Sequence, residues 1–215
     1  MLELAALLDP EPAHGQQVAR LAAVLFDCTR RIHGLGAVER ELLECAALLH
    51  DVGASVNHSK HHHHSRYLIL NSSLPGFDRE EVRWIATIAR FHRGTAPKPG
   101  HPDFAGFDAE AIRRIICLAA ILRVADGLDR GHHAVVRSLR LARHGGRVAL
   151  ELDVAGRDSA LELWAARHKA DLWERCLGIE LDLRTRKIRG RRRAGISRSA
   201  LRQAELRSGL GARSS

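Results

Sequence analysis

The stretch Leu48-Leu49-His50-Asp51-Val52-Gly53 sets an imidazole beside a carboxylate at the end of an apolar helical run, Glu41 to Ala47. Burying such a pair is unfavourable unless something compensates both groups. A divalent cation does so, because imidazole nitrogen and carboxylate oxygen are ordinary ligands and the ion offsets the desolvation of Asp51. Two ligands do not complete a site, but the chain offers others. Asp126 lies among Leu118, Ile121, Leu122 and Ala125, and His14, His64 and His92 sit at the ends of three further helical stretches. Each also has a structural reading. His50 and Asp51 could cap a helix together, His14 could be a surface residue of a first turn, and Asp126 could pair with Arg123.

The elements that must position these groups are mostly helices. Apolar spacing predicts helices over Ala13–His33, Val38–Val52, His61–Asn71 and Ala109–Leu128, with a short one over Leu2–Leu8. Asp78-Arg79-Glu80-Glu81 reads as a capping box opening a helix that runs to His92, and Asp108 as the cap of the Ala109 helix. Beyond Gly131 the pattern changes. Val136–Leu141 and Val148–Val154 alternate as strands around Gly145-Gly146, Ala160–Leu177 reads as one helix, and Ile179–Leu183 as a third strand. The expected fold is therefore mainly α: a helical bundle over residues 1–134, a small α+β annex over 135–183 packed on it, and a tail over 184–215.

The net charge of +9 is concentrated in that tail, where eleven Arg and Lys residues face the single acid Glu205, so the rest of the chain is close to neutral. A segment so charged and poor in apolar residues is expected to be flexible, while offering polyphosphate, RNA or an acidic partner a polyanion contact. No apolar run reaches the ~20 residues that span a bilayer. The N-terminus shows no basic segment ahead of an apolar one, and a cytoplasmic location is expected. Cys28, Cys45, Cys117 and Cys176 are far apart, without paired spacing, and are expected in the core as free thiols. His58, His61, His62 and His63 read as a solvated, pH-sensitive rim, with His61 a candidate phosphate contact. His132 and His133 carry no motif.

The order His14, His50-Asp51, Asp126 resembles the ligand pattern of the HD-domain metal-dependent phosphohydrolases. A closer resemblance spans most of residues 10–183. His61 to Ser72, Ile88 to Arg93, Leu122 to Arg130 and Leu161 to Ala165 are similar to the C-terminal HD region of the exopolyphosphatase/guanosine pentaphosphate phosphatase (Ppx/GppA) family. The resemblance implies an HD-domain helical bundle. It also implies a divalent ion (Mn, Fe, Mg, Co or Ni) on His14, His50, Asp51 and Asp126, with Asp51 bridging to a second ion held by His64 and His92. Arg90, Arg93, Arg123 and Arg130 are then candidate phosphate contacts, since a guanidinium matches phosphate geometry bidentately. The family's full-length members carry an actin-like phosphatase domain ahead of this region, and the chain is expected to lack it. Two functions follow as expectations. One is hydrolysis of a nucleotide or other phosphate ester. The other is a regulatory or dimerisation module that binds guanosine polyphosphate or polyphosphate, forms a homodimer, or partners a separate actin-like domain.

Overall fold

The computed structural model describes residues 5, 8–144, 147–156 and 158–188. Seven α-helices lie within them. Helix α1, Pro12–His33, begins on a proline, whose missing N–H would be unpaired in a first turn anyway, and its face of Val18, Leu21, Ala22, Leu25 and Phe26 is buried. It packs against α2, Ala37–Leu49, where Glu39 accepts from the Gly36 N–H at 2.9 Å. A 3-10 turn, Val52–Ser55, leads to α3, His61–Leu70. In front of α4, Arg79–Arg90, Asp78 accepts from the amides of Glu80 and Glu81 while the Glu81 carboxylate accepts from the Asp78 amide, the reciprocal cap expected from the sequence.

Helix α5, Ala109–Gly127, is capped by Asp108 on the Ala111 amide at 2.7 Å. From Cys117 to Gly127 every residue is buried, and the helix touches α1, α2 and α4 as well as the helices that follow. A stretch buried on all sides runs through the centre of a core. Next come β1, Val136–His144, and β2, Arg147–Ala155, paired antiparallel. Helices α6, Ala160–His168, and α7, Ala170–Leu177, then lead to β3, Leu183–Ile188, which pairs parallel to β2 in the order β1-β2-β3. The sheet is tied to the bundle by α1, where Gln17 Nε2 donates to the Val136 carbonyl at 2.7 Å and Arg20 to that of Arg137 at 2.7 Å.

The chain is thus mainly helical with a small three-stranded sheet towards its C-terminal end, as the pattern implies. Two elements differ from the sequence reading. The helix expected over Ala160–Leu177 is broken at Lys169, although the sequence offers no breaker there. The third strand begins where it was expected to end: Leu181 and Leu183 are buried as the alternation implies, but pairing with β2 starts only at Leu183 and runs on to Ile188. Arg184, Arg186 and Lys187 therefore belong to a strand rather than to the tail. The expected Leu2–Leu8 helix falls largely outside the described residues, as does the tail from Arg189 onward.

Candidate functional site

His50 ends α2, and Asp51 begins the 3-10 turn behind it. That turn is clamped to α3 by Ser65, whose hydroxyl donates to the His50 carbonyl at 2.6 Å and accepts from the Gly53 amide at 3.0 Å. A Cβ at Gly53 would overlap the His61 carbonyl oxygen and the Ser65 nitrogen, so only glycine allows α3 this close. The same device acts at Asp126, where a Cβ on the adjoining Gly127 would come within 2.7 Å of the Ala166 Cα. Backbone contact there brings α6 and the Lys169 break against the end of α5.

The imidazoles are oriented by their own helices. His50 Nδ1 donates to the Ala47 carbonyl at 2.7 Å and His92 Nδ1 to that of Ala89 at 2.8 Å; His61 Nδ1 lies 3.1 Å from the carbonyl of His58. Each carbonyl belongs to the residue three positions earlier, and each bond leaves Nε2 turned inward. His61 Nε2 is 3.0 Å and His92 Nε2 3.4 Å from Asp51 Oδ1, and the two nitrogens are 3.2 Å apart. His14 is held differently. Its Nδ1 donates to Asp129 Oδ2 at 2.9 Å, its Nε2 faces Asp126 Oδ1 at 3.6 Å, and His132 stacks on it with centroids 3.8 Å apart. His132 in turn pairs with Glu11 at 2.6 Å.

The resulting donor set fits a cation. Two groups, His14 with His50 and Asp126, and His50 with Asp51 and His92, each have ligand atoms within 4.8 Å of one another. Nε2 of His14 and of His50 and Oδ1 of Asp51 are buried without a hydrogen-bond partner, which is costly unless something else satisfies them. Burial alone would push Asp51 up, but His50, His61 and His92 hold its carboxyl well below the usual range. Burial would do the same to Asp126, yet Lys169, His14, His50 and His92 keep it well below. Burial would lower His14, but Asp126 and Asp129 raise it to about 9. His92 is pushed well below the ordinary imidazole value, by burial first and by His50 next.

The structure brings together His14, His50, Asp51, His92 and Asp126 from the sequence reading. It does not bring His64, whose half-buried imidazole makes no hydrogen bond or ion pair among the described residues. His61 takes that place, because the inward stripe of α3 is His61, Ser65 and Ile69, each four residues from the last. His61 is therefore buried rather than part of a solvated rim, and burial and Arg90 push His62 down to about 3, so it stays neutral at ordinary pH. Asp126 pairs not with Arg123 but with Lys169, which the sequence reading did not single out. Of the four arginines, Arg93, Arg123 and Arg130 line the cleft, while Arg90 is buried against Asp103 at 3.1 Å. All four cysteines are free; Cys45 and Cys117 are buried, with burial pushing both thiols to about 12, and Cys28 and Cys176 are half-buried.

These groups open on a cleft of about 800 Å³, lined by Asp51, His61, His92, Arg123, Asp126 and Lys169, with Trp164 at its edge. That volume is in the range of small-molecule sites. Among the described residues no helix is long and apolar enough to cross a membrane.

Residues 2–165 match the family model described as Ppx/GppA phosphatase, domain III. Three bacterial proteins named guanosine-5'-triphosphate,3'-diphosphate pyrophosphatase are similar to the chain. The Vibrio parahaemolyticus protein is 29% identical over 142 residues, covering 65% of this chain and 28% of its own length. That of Vibrio vulnificus is 30% identical over 145 residues, with the same coverage. That of Pseudoalteromonas translucida is 28% identical over 114 residues, covering 50% of this chain and 23% of its own. The chain thus spans about a quarter of the length of these relatives.

Proposed function

The chain belongs to the Ppx/GppA phosphatase domain III family, and from that premise we propose that it is a cytoplasmic, metal-dependent phosphohydrolase of the HD type. Its substrate is a nucleotide or another phosphate ester. The observation that carries this reading is the clustering of His14, His50, Asp51, His92 and Asp126, three of which line one cleft, with buried ligand atoms lacking any partner.

His14, His50, Asp51 and Asp126 would hold the ion, with His92 and His61 beside them. Mn, Fe, Mg, Co and Ni all suit such nitrogen and oxygen donors. When bound, the ion supplies a hydroxide near neutral pH and polarises a phosphoryl oxygen. The two candidate groups share His50, and one Nε2 lone pair serves one ion, so we propose a single ion rather than two. Asp129 fixes His14, and the carbonyls of Ala47 and Ala89 fix His50 and His92, so little reorganisation is needed on binding. Arg123, Arg93, Arg130 and Lys169 bind and orient the phosphate. Lys169 also balances Asp126 while the cleft is empty of phosphate.

The test runs wild type and Asp51→Ala side by side against phosphomonoesters, nucleotides and cyclic dinucleotides with each metal, with elemental analysis of both proteins. Turnover should need metal and fall by several orders of magnitude in Asp51→Ala. Identical background rates, with metal confirmed on the wild type, would end the enzyme reading.

The Lys169–Asp126 ion pair favours a second reading, because a built-in ammonium already neutralises one carboxylate of the set. On it the chain is a regulatory module that binds guanosine polyphosphate or polyphosphate and partners an actin-like phosphatase domain. Lys169→Met separates the two. Removal of a competing cation should raise metal affinity several-fold if the site takes an ion, and should only lower stability if the lysine replaces one.

A further inference from the structure

A second pocket lies away from the cleft, between the end of α3, the start of α4 and the loop from Pro102 to Phe107. It encloses about 560 Å³ and shares none of its lining residues with the cleft. Leu70, Leu74 and Phe107 give it an apolar wall, and Arg66, Arg79 and Arg83 stand among them. Apolar walls with a few convergent charges are the make-up of a small-molecule site.

The acids of this pocket do not balance its cations. Asp78 accepts from the Glu80 and Glu81 amides as the cap of α4. Asp103 is shared: Arg66 Nε is 3.7 Å from its Oδ1, and the buried Arg90 takes its Oδ2 at 3.1 Å. Arg66 Nε is itself buried and makes no hydrogen bond. Arg83 donates to the Ala105 carbonyl at 2.9 Å and lies over the Phe107 ring at 4.4 Å, so its guanidinium is held in place without an acid. Arg79 has no ion pair or hydrogen bond among the described residues. Guanidiniums fixed beside an apolar wall are completed by an anionic oxygen from outside.

We infer that this pocket is a second ligand site, for a small organic acid whose single carboxylate is held by Arg66, Arg79 and Arg83 and whose hydrocarbon or aromatic body lies against Leu70, Leu74 and Phe107. A dianion such as phosphate fits less well, because Asp78 and Asp103 remain in the lining and repel the second charge. Phosphate also leaves the apolar wall in water, whereas a hydrocarbon body covers it. The inference stands whether or not the cleft takes a metal ion.

Calorimetric titration of the full chain with benzoate tests this, with benzyl alcohol, acetate and inorganic phosphate as comparison probes. Benzoate should bind about tenfold more tightly than benzyl alcohol, which lacks the charge, and than acetate, which lacks the body. Phosphate should not displace it. Arg83→Gln should weaken benzoate about tenfold and Arg79→Gln several-fold. Arg79 is exposed and unpaired, so its replacement leaves the melting temperature unchanged and decides the matter if Arg83→Gln fails to fold. Arg123→Gln, in the cleft, should leave benzoate affinity as it is. Benzoate affinity that survives both pocket substitutions overturns the inference, and so does affinity lost in Arg123→Gln, which places the acid in the cleft. Equal binding of benzoate and benzyl alcohol, displacement by phosphate, or no binding of benzoate overturns it as well. None of these results bears on the metal site, which the comparison of wild type with Asp51→Ala tests separately.

Discussion

His14 carries two opposed influences, and the balance has a direction that can be measured. Burial disfavours its charged form, but Asp126 and Asp129 outweigh burial and raise its pKa from 6.5 to about 9. A group raised on folding contributes stability that is complete below about 6.5 and lost as pH climbs through about 9. The melting temperature of the metal-free protein should therefore fall across that interval, as far as this residue governs it. Metal affinity should move the opposite way, because an ion must displace the proton from His14. Calorimetry at pH 6.5 and 9 with Mn or Co checks both; affinity that does not rise with pH removes His14 from the ligand set. At this scale residue type and spacing made His50, Asp51, Asp126 and His14 legible. His61 was hidden because four consecutive histidines carry no phase of their own. The phase sits in Ser65 and Ile69, four and eight residues further on. Asp129 and Lys169 were hidden because one acts through another residue and the other arrives from a distant element.

Two close approaches between elements hold the site together, and each depends on a missing side chain. Gly53→Ala drives a methyl into the α3 backbone, and Gly127→Ala drives one into the α6 backbone at Ala166. Neither neighbour is a flexible side chain that can swing away. Each substitution should cost about 2–3 kcal/mol, a fall of about 5–10 °C in Tm. Metal binding should weaken in both, with helical content by circular dichroism unchanged. An unaltered Tm in either would show that the helices have room to part. The helices themselves were readable to within a few residues, since their caps are local and chemical: Asp78 with Glu81, Asp108 with Ala111. The break at Lys169 was not readable, because nothing in His168-Lys169-Ala170 disfavours a helix. Tertiary packing made it. For β3 the alternation reported which residues are buried, but hydrogen-bonding register depends on β2 and lies outside any one segment's pattern.

Over the whole molecule, charge and chemistry are separated along the chain. Residues 189–215 hold eight of the arginines of the basic tail. Their removal should leave Tm and metal affinity unchanged, because β3 ends at Ile188. The same deletion should lower affinity for heparin or polyphosphate and flatten its dependence on salt. Loss of metal binding in the shortened chain would show that the tail serves the site. A deletion from Arg184 would be a different experiment, since it removes most of a paired strand. The Lys169–Asp126 ion pair has one more consequence. Asp126 ends the central helix of the bundle, whereas Lys169 follows the first two strands of the sheet, so any ligand that engages both residues fastens the two halves of the fold to each other. Saturation of the cleft should therefore raise the melting temperature of the whole fold, because unfolding of either part releases the ligand.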